Sequence, residues 1–423
     1  MSDRTVELWG SITNRNQEDV FDDLLLMAIR LNHPLNALAL DQMLIPMSMH
    51  DRDVAWSISI DRLWGGFTEV DGYERRAIHR LVDWALQHPD PSRIPDDVRL
   101  LWSIALSWMF STSNRIARDY ATKALVRLLE NRLAFAEKLC RHFLTPESGA
   151  SVNDPYVVER ILCASYGAAL RSQDVDGLEH LAKLSYDLFF ATTPQCDHVL
   201  IRDYALGLIL LAAENGIALP VDPTRLEPPF ETEGFDPELT TDAIKKKYGL
   251  EEGGWKDGYR PAWDKLKPEH IVGSDFGIYQ VSSAITRLGD YGRDEESGHN
   301  LHELVGPWML ECMIDLGWQP DFEESQNVVN HHRPYSRGDQ DKSESLTKKY
   351  AWIALHRAEG KMTDHYSIKD GWGSEAELRY RQGPWEGYRR DLDPSFMIPL
   401  KQTKGGESEG AFQWFLAGSV MPD

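Results

Sequence analysis

Four arginines, Arg76, Arg118, Arg160 and Arg202, stand in one register with a step of 42 residues. Around two of them the wording repeats: RDYA occupies 118–121 and returns at 202–205. The recurrence is wider than the arginines. Three residues on stand His79, Ala121, Cys163 and Ala205; six on, Val82, Ala124, Tyr166 and Leu208; ten on, Leu86, Leu128, Leu170 and Ala212. Offsets three, six and ten share one face of a helix. A unit of about 40–47 residues built of paired helices is the size of a HEAT or armadillo repeat. One helix pair cannot bury its own apolar face, whereas stacked pairs bury a continuous core. An arginine early in each second helix can reach the carbonyl ends or an acidic side chain of the next repeat. Asp119 and Asp203, which follow two of the arginines, suit a helix N-terminus. Arg76, Arg118, Asp119, Arg160, Arg202 and Asp203 are therefore assigned to the structural register of a repeat. The competing reading is a non-repetitive helical domain in which the arginines recur by accident.

The pattern along the chain supports helices throughout the first half. Apolar positions at spacings of three and four predict helices over 18–31, 36–45, 51–64, 71–87, 95–110, 114–130, 132–144, 154–171, 174–190 and 197–215. Between them stand breakers such as QHPDPSRIP (87–95) and TPESGASVNDP (145–155). Ser113-Asn114 and Asp154-Pro155 look like helix entries. No β-branched alternating run with a hairpin turn is found. Residues 219–270 are rich in Pro, Gly and charge, with one short helix expected at 239–248. Beyond them, helices are expected over 271–290, 301–316 and 343–359, a loop over 327–345 and an extended segment over 383–395. The fold expected is mainly α: a HEAT/armadillo-like α-solenoid over 1–218, a Pro/Gly-rich connector over 219–270, and a less regular, mostly helical region over 271–423.

At 423 residues the chain exceeds the roughly 100–200 residues of one ordinary domain. Its net charge of −22 argues against an electrostatic grip on nucleic acid or an anionic membrane and fits a protein partner better. Cys140, Cys163, Cys196 and Cys312 form no C-x-x-C pair, so buried free thiols in a reducing cytoplasm are expected. The N-terminus has no signal pattern. No apolar run approaches the ~20 residues of a membrane span.

Sequence signatures of chemistry are sparse. The chain lacks the Walker A phosphate loop, G-x-G-x-x-G, the G-x-S-x-G elbow and H-E-x-x-H. GHNLHE (298–303) places His299 and His302 three apart beside Glu303, and His331-His332 could join them, but no matching ligand spacing completes a tetrahedral set. Solvated helix-start residues are the simpler reading. Trp56, Trp64, Trp84, Trp102 and Trp108 sit at helical spacings and are read as core packing. RGD at 337–339 is too short to carry a function. In KKYAWIALHRAE (348–359), Lys348, Lys349, Tyr350 and His356 are the candidate partner-binding residues, against a purely structural role for the helix.

Several stretches carry a family likeness: NHPLNALALDQMLIPMSMHDRDVAWS (32–57), STSNRIARDYATKALVRLL (111–129), DPYVVERILCASYGAAL (154–170), SDFGIYQV (274–281), LTKKYAWIALH (346–356) and GPWEGYRRDLDPS (383–395). Together they resemble segments of large bacterial STAND-type NTPases of the AVAST anti-phage defence kind. In that family a long C-terminal helical array senses a phage protein, and an NTPase and an effector precede it. The likeness is to the sensor array alone, so the family's ATP-dependent activity is not implied. What it implies is a cytoplasmic, non-catalytic protein-interaction scaffold or sensor. Its partner would be a phage protein or a defence-complex subunit, with assembly onto an NTPase subunit or into a homo-oligomer. No cofactor or metal is expected. The alternative is a hydrolase or nuclease with a site in 271–400, for which His299, His302, His331 and His332 are the suspects.

Overall fold

A computed structural model of the chain describes residues 17–65, 76–88, 91–145, 152–248, 260–266, 275–287, 301–320, 322, 344–366, 368–370, 377–379 and 392–394. The protein is mainly helical. The first half contains α1 (Gln17–Ala28), α2 (Ala37–Leu44), α3 (Met49–Arg52), α4 (Ile58–Gly65), α5 (Ala77–Gln87), α6 (Asp96–Met109), α7 (Arg115–Leu129), α8 (Leu133–Leu144), α9 (Pro155–Ala169), α10 (Val175–Phe189) and α11 (Val199–Glu214). A wide π turn, Asp53–Ser57, joins α3 to α4 without a break. The helical periodicity therefore found these elements to within a few residues.

Local chemistry sets the ends. The side chains of Asn114, Asp154 and Asp174 each accept an amide of the first turn of α7, α9 and α10. Pro155 follows Asp154 at a position where a missing N–H is harmless. After α11, Gly216 turns left-handed at φ 76°, and the Ile217 amide reaches back to the Ala212 carbonyl at 3.0 Å. That satisfies an otherwise open helix C-terminus.

The helices α5, α7, α9 and α11 pack one against the next in chain order. Against them lie α6 on α7, α8 on α9 and α10 on α11, and α8 also packs on α10. One core runs through all of these, from Phe21 to Ala212. Trp56, Trp102 and Trp108 are fully buried in it, as expected. Trp84 departs from the expectation: it stacks on Trp102 at 3.8 Å but keeps 44% of its surface exposed.

The second half is built of α12 (Thr241–Lys247), α13 (Arg260–Leu266), a π turn Gly277–Val281 leading into α14 (Ser282–Arg287), α15 (Leu301–Asp315) and α16 (Leu346–His365). Its own core joins Ile244, Trp263, Val281, Met309 and Ile353 to Met49 and Tyr156 of the first half. The stretch read as a connector therefore contributes to both cores, through Phe230 to the first and Ile244, Ala262, Trp263 and Leu266 to the second. The sequence reading missed α13. It also missed a short antiparallel pair, β1 (Ile368–Asp370) with β2 (Glu377–Arg379), because three-residue strands are too short to show an alternating pattern.

Helix α16 is the element that differs most from its reading. It runs six residues past the expected end at 359, and sixteen of its 20 residues are buried. No amphipathic stripe marks it because it is enclosed by α11 on one side and α15 on the other. No described helix is long and apolar enough to cross a membrane.

Candidate functional site

Helix α16 buries charged side chains among its apolar ones, and one of them, Asp364, meets Arg202 of the first half. Arg160 of α9 lies 2.9 Å from Asp119 of α7. Arg118 donates to the Thr112 carbonyl at 2.7 Å and lies over the Tyr156 ring, 4.2 Å from its centroid. Arg202 takes a different partner: it donates to Asp364 of α16 at 2.7 Å and to Thr363 at 3.2 Å, while Ile161 stands at the position of α9 that matches Asp119 of α7. Arg76 sits at the start of α5, half-buried, 3.6 Å from Asp19. Asp203 is buried in the N-terminal half of α11.

Lys349 occupies the centre of the junction. Its ammonium donates to Asp53 at 2.7 Å, to Asp154 at 2.8 Å and to the Ser111 carbonyl at 2.7 Å, and all three charged side chains are fully buried. Three acceptors match the three protons of an ammonium group. The chain prepares each of them. The π turn carries Asp53, whose oxygen also accepts from Ser57 at 2.7 Å. Asp154 divides its carboxylate, one oxygen accepting the Tyr156 amide at 3.0 Å and the other taking Lys349. Burial pushes the Asp53 carboxyl above its ordinary range, against the pull of Lys349.

Lys349, Tyr350 and His356 are thus corrected from partner-facing residues to interior ones. Lys349 is held by Asp53 and Asp154, Tyr350 lies in the second core, and His356 lies 3.1 Å from Glu359. Lys348, one position away, is half-buried and pairs with Glu344 at 2.8 Å. Adjacent helix positions sit about 100° apart, so neighbouring lysines can have different fates. His299, His331 and His332 lie outside the described residues, as do the side chain of His302 and the RGD tripeptide. Among the described residues no group of three or more His, Cys, Asp or Glu is placed to hold a metal. Burial pushes the thiols of Cys140, Cys163, Cys196 and Cys312 up to about 11, which keeps them protonated at neutral pH.

Two further features belong to the face formed by α7, α9 and α11. The short segment Leu392–Pro394 lies across it. The Leu392 carbonyl accepts from the Tyr204 hydroxyl at 3.1 Å, the Asp393 carbonyl accepts from the Lys123 ammonium, and Pro394 sits against Gly167. A recess of about 170 Å³ also opens between α9 and α11, lined by Tyr166, Leu170, Asp203, Gly207, Leu210, Leu211 and Glu214. A Cβ at Gly207 would come within 2.9 Å of the Tyr166 ring, so the glycine makes room for that wall of the recess. Leu170 and Leu210 are exposed at its rim.

No protein-family model, curated protein or solved structure matches the chain. The geometry of this junction therefore carries the functional argument.

The junction also makes a prediction about pH. His198 caps α11, its Nδ1 accepting the Ile201 amide, while its buried Nε2 has no hydrogen-bond partner. Burial, with His356, Arg357 and Arg202 nearby, holds its pKa well below 6.5. Above that value the ring is neutral in both the folded and unfolded chain and adds nothing. Below it the unfolded chain takes up a proton that the folded chain refuses. Stability should fall as pH drops through 6.5, by at most about 1.4 kcal/mol per pH unit for this one group. The variant His198→Asn keeps a capping acceptor and cannot titrate. Urea melts at pH 7.5 and 5.5 should show a smaller acid loss in the variant than in the wild type; equal losses would refute the role of His198.

Proposed function

We propose that this chain is a non-catalytic protein-interaction scaffold: an α-solenoid of stacked helix pairs whose second-helix face receives polypeptide. The supporting observation is that this face already grips two pieces of the same chain. It holds α16 through Arg202 and Asp154, and it holds Leu392–Pro394 through Tyr204 and Lys123. Stacked helix pairs create extended surfaces of this sort. The recess rimmed by Leu170 and Leu210 is an open part of that face, apolar at the rim and acidic within. Its occupant would be a protein surface, since a chain of net charge −22 is poorly suited to nucleic acid. The resemblance to anti-phage sensor arrays leads us to propose a phage protein or a defence-complex subunit as the partner, met in the cytoplasm.

The test compares the wild type with a Leu170→Glu/Leu210→Glu variant in cells challenged with phage. A phage or defence-complex protein should co-purify with the wild type and be lost from the variant, with helix content by circular dichroism unchanged. Equal recovery from both, or recovery of none, would count against the scaffold.

A further inference from the structure

The segment Leu392–Pro394 is held in a way that does not depend on its being part of this chain. We infer that the groove beneath it is an exchangeable socket for a Leu-acidic-Pro segment of a partner protein, with residues 392–394 as the resident occupant. This deepens the scaffold reading and rests on it. Three observations carry it. First, Leu392 is fully buried and belongs to the core of the first half, far from it in sequence, so the array presents a pocket for one leucine side chain. Second, two successive main-chain carbonyls are read by side chains from two different helices, Tyr204 of α11 at Leu392 and Lys123 of α7 at Asp393. Carbonyl recognition is indifferent to which chain supplies the carbonyl, and side-chain pockets then give selectivity. Third, the floor is bare where the proline sits. A Cβ on Gly167 would lie 2.7 Å from the Pro394 carbonyl oxygen and 2.9 Å from its Cβ.

The groove also states its preference at the middle position. Lys123 is largely buried, and burial lowers its pKa while the neighbouring Asp393 raises it. Asp393 itself is exposed, so an acidic residue there supports the ammonium without needing a pocket. Proline in the third position reduces the conformational freedom lost on binding. The resident segment competes as a tethered ligand, at an effective concentration of order millimolar. A partner therefore meets a filled socket, and weakening the resident is the way to reveal it.

The probe is a fluorescein-labelled peptide of residues 389–397, RRDLDPSFM, with a scrambled peptide as control. In the full chain carrying Leu392→Ser and Pro394→Ala, fluorescence anisotropy should show saturable binding of the native peptide. It should be at least tenfold tighter than to the wild type, and adding Gly167→Ala should abolish it. If that chain is folded by circular dichroism and binds native and scrambled peptides alike, the inference is overturned. If it does not fold, the wild type is used with a peptide bearing a photoreactive leucine at the position of Leu392. Crosslinks on α7, α9 or α11 that unlabelled peptide competes away support the socket, and their absence refutes it. A chain that captures its partner but never takes the peptide loses the socket and keeps the scaffold. The opposite result removes the scaffold alone.

Discussion

Lys349→Met will lower the stability of the chain by about 3–5 kcal/mol, the usual effect of removing one partner from a buried ion pair. The substitution keeps most of the aliphatic stem, so little cavity is opened. What it removes is the ammonium that Asp53 and Asp154 share inside a fully buried site. Asp53 is already pushed toward its protonated form by burial, and Asp154 repels it. Without Lys349, one or both carboxyls must take a proton or admit water. Adding Asp53→Asn and Asp154→Asn to the same chain should recover a large part of the loss, because a site emptied of all its charges is close to neutral in energy. Asparagine at 154 also preserves the cap on α9. Urea denaturation of the single and triple variants measures both effects. A single variant within about 1 kcal/mol of the wild type would show that the triad is not held dry.

Gly360→Ala is expected to destabilise, although the same change in an ordinary helix interior stabilises by roughly 0.5–1 kcal/mol. The reason is a backbone approach. A Cβ at 360 would lie 1.8 Å from the Asp197 carbonyl oxygen and 2.7 Å from its carbon. Neither atom is the tip of a flexible side chain. The Asp197 backbone is not free to retreat, because Arg357 clamps its carboxylate with bonds of 2.8 and 2.9 Å. Either α16 shifts along α11 and breaks the Arg202–Asp364 pair, or the clamp opens. We expect a loss of about 3 kcal/mol, the upper end for overpacked sites. Faster amide exchange confined first to 346–365 should accompany it. Unchanged or increased stability would mean that α16 does not lie as close to the 197 turn as described.

Much of the helical pattern was readable because it is local. The apolar spacing, the caps at Asn114 and Asp154 and the arginine step of 42 all act within one helix pair or between neighbours. The reading failed where partners are remote. Lys349 meets Asp53 and Asp154 across separations of 296 and 195 residues, and nothing in KKYAWIALH distinguishes the buried lysine from its half-buried neighbour. Asp154 was legible as a cap, but its second oxygen was not. Gly360 reads as a weak point in a helix until the 197 turn is placed against it. Residues 383–395 were read as extended, but that reading could not place Leu392 in the core of the first half or Pro394 against Gly167. One clue was available: a stretch at 346–365 that forms a helix yet has polar residues on every side must either be solvated all round or be enclosed by polar partners.

The separation of 195 residues between Asp154 and Lys349 also sets an order of events during synthesis. At ribosomal speeds of about 5–20 residues per second, the lysine emerges some 10–40 s after the aspartate. The first-half helices, joined by neighbour contacts, have ample time to assemble before it arrives. During that interval Asp53, Asp154 and Arg202 stand on a water-covered face, satisfied by solvent. The interior charge cluster of the finished protein is therefore a surface first, and it becomes dry only when α16 is laid into it.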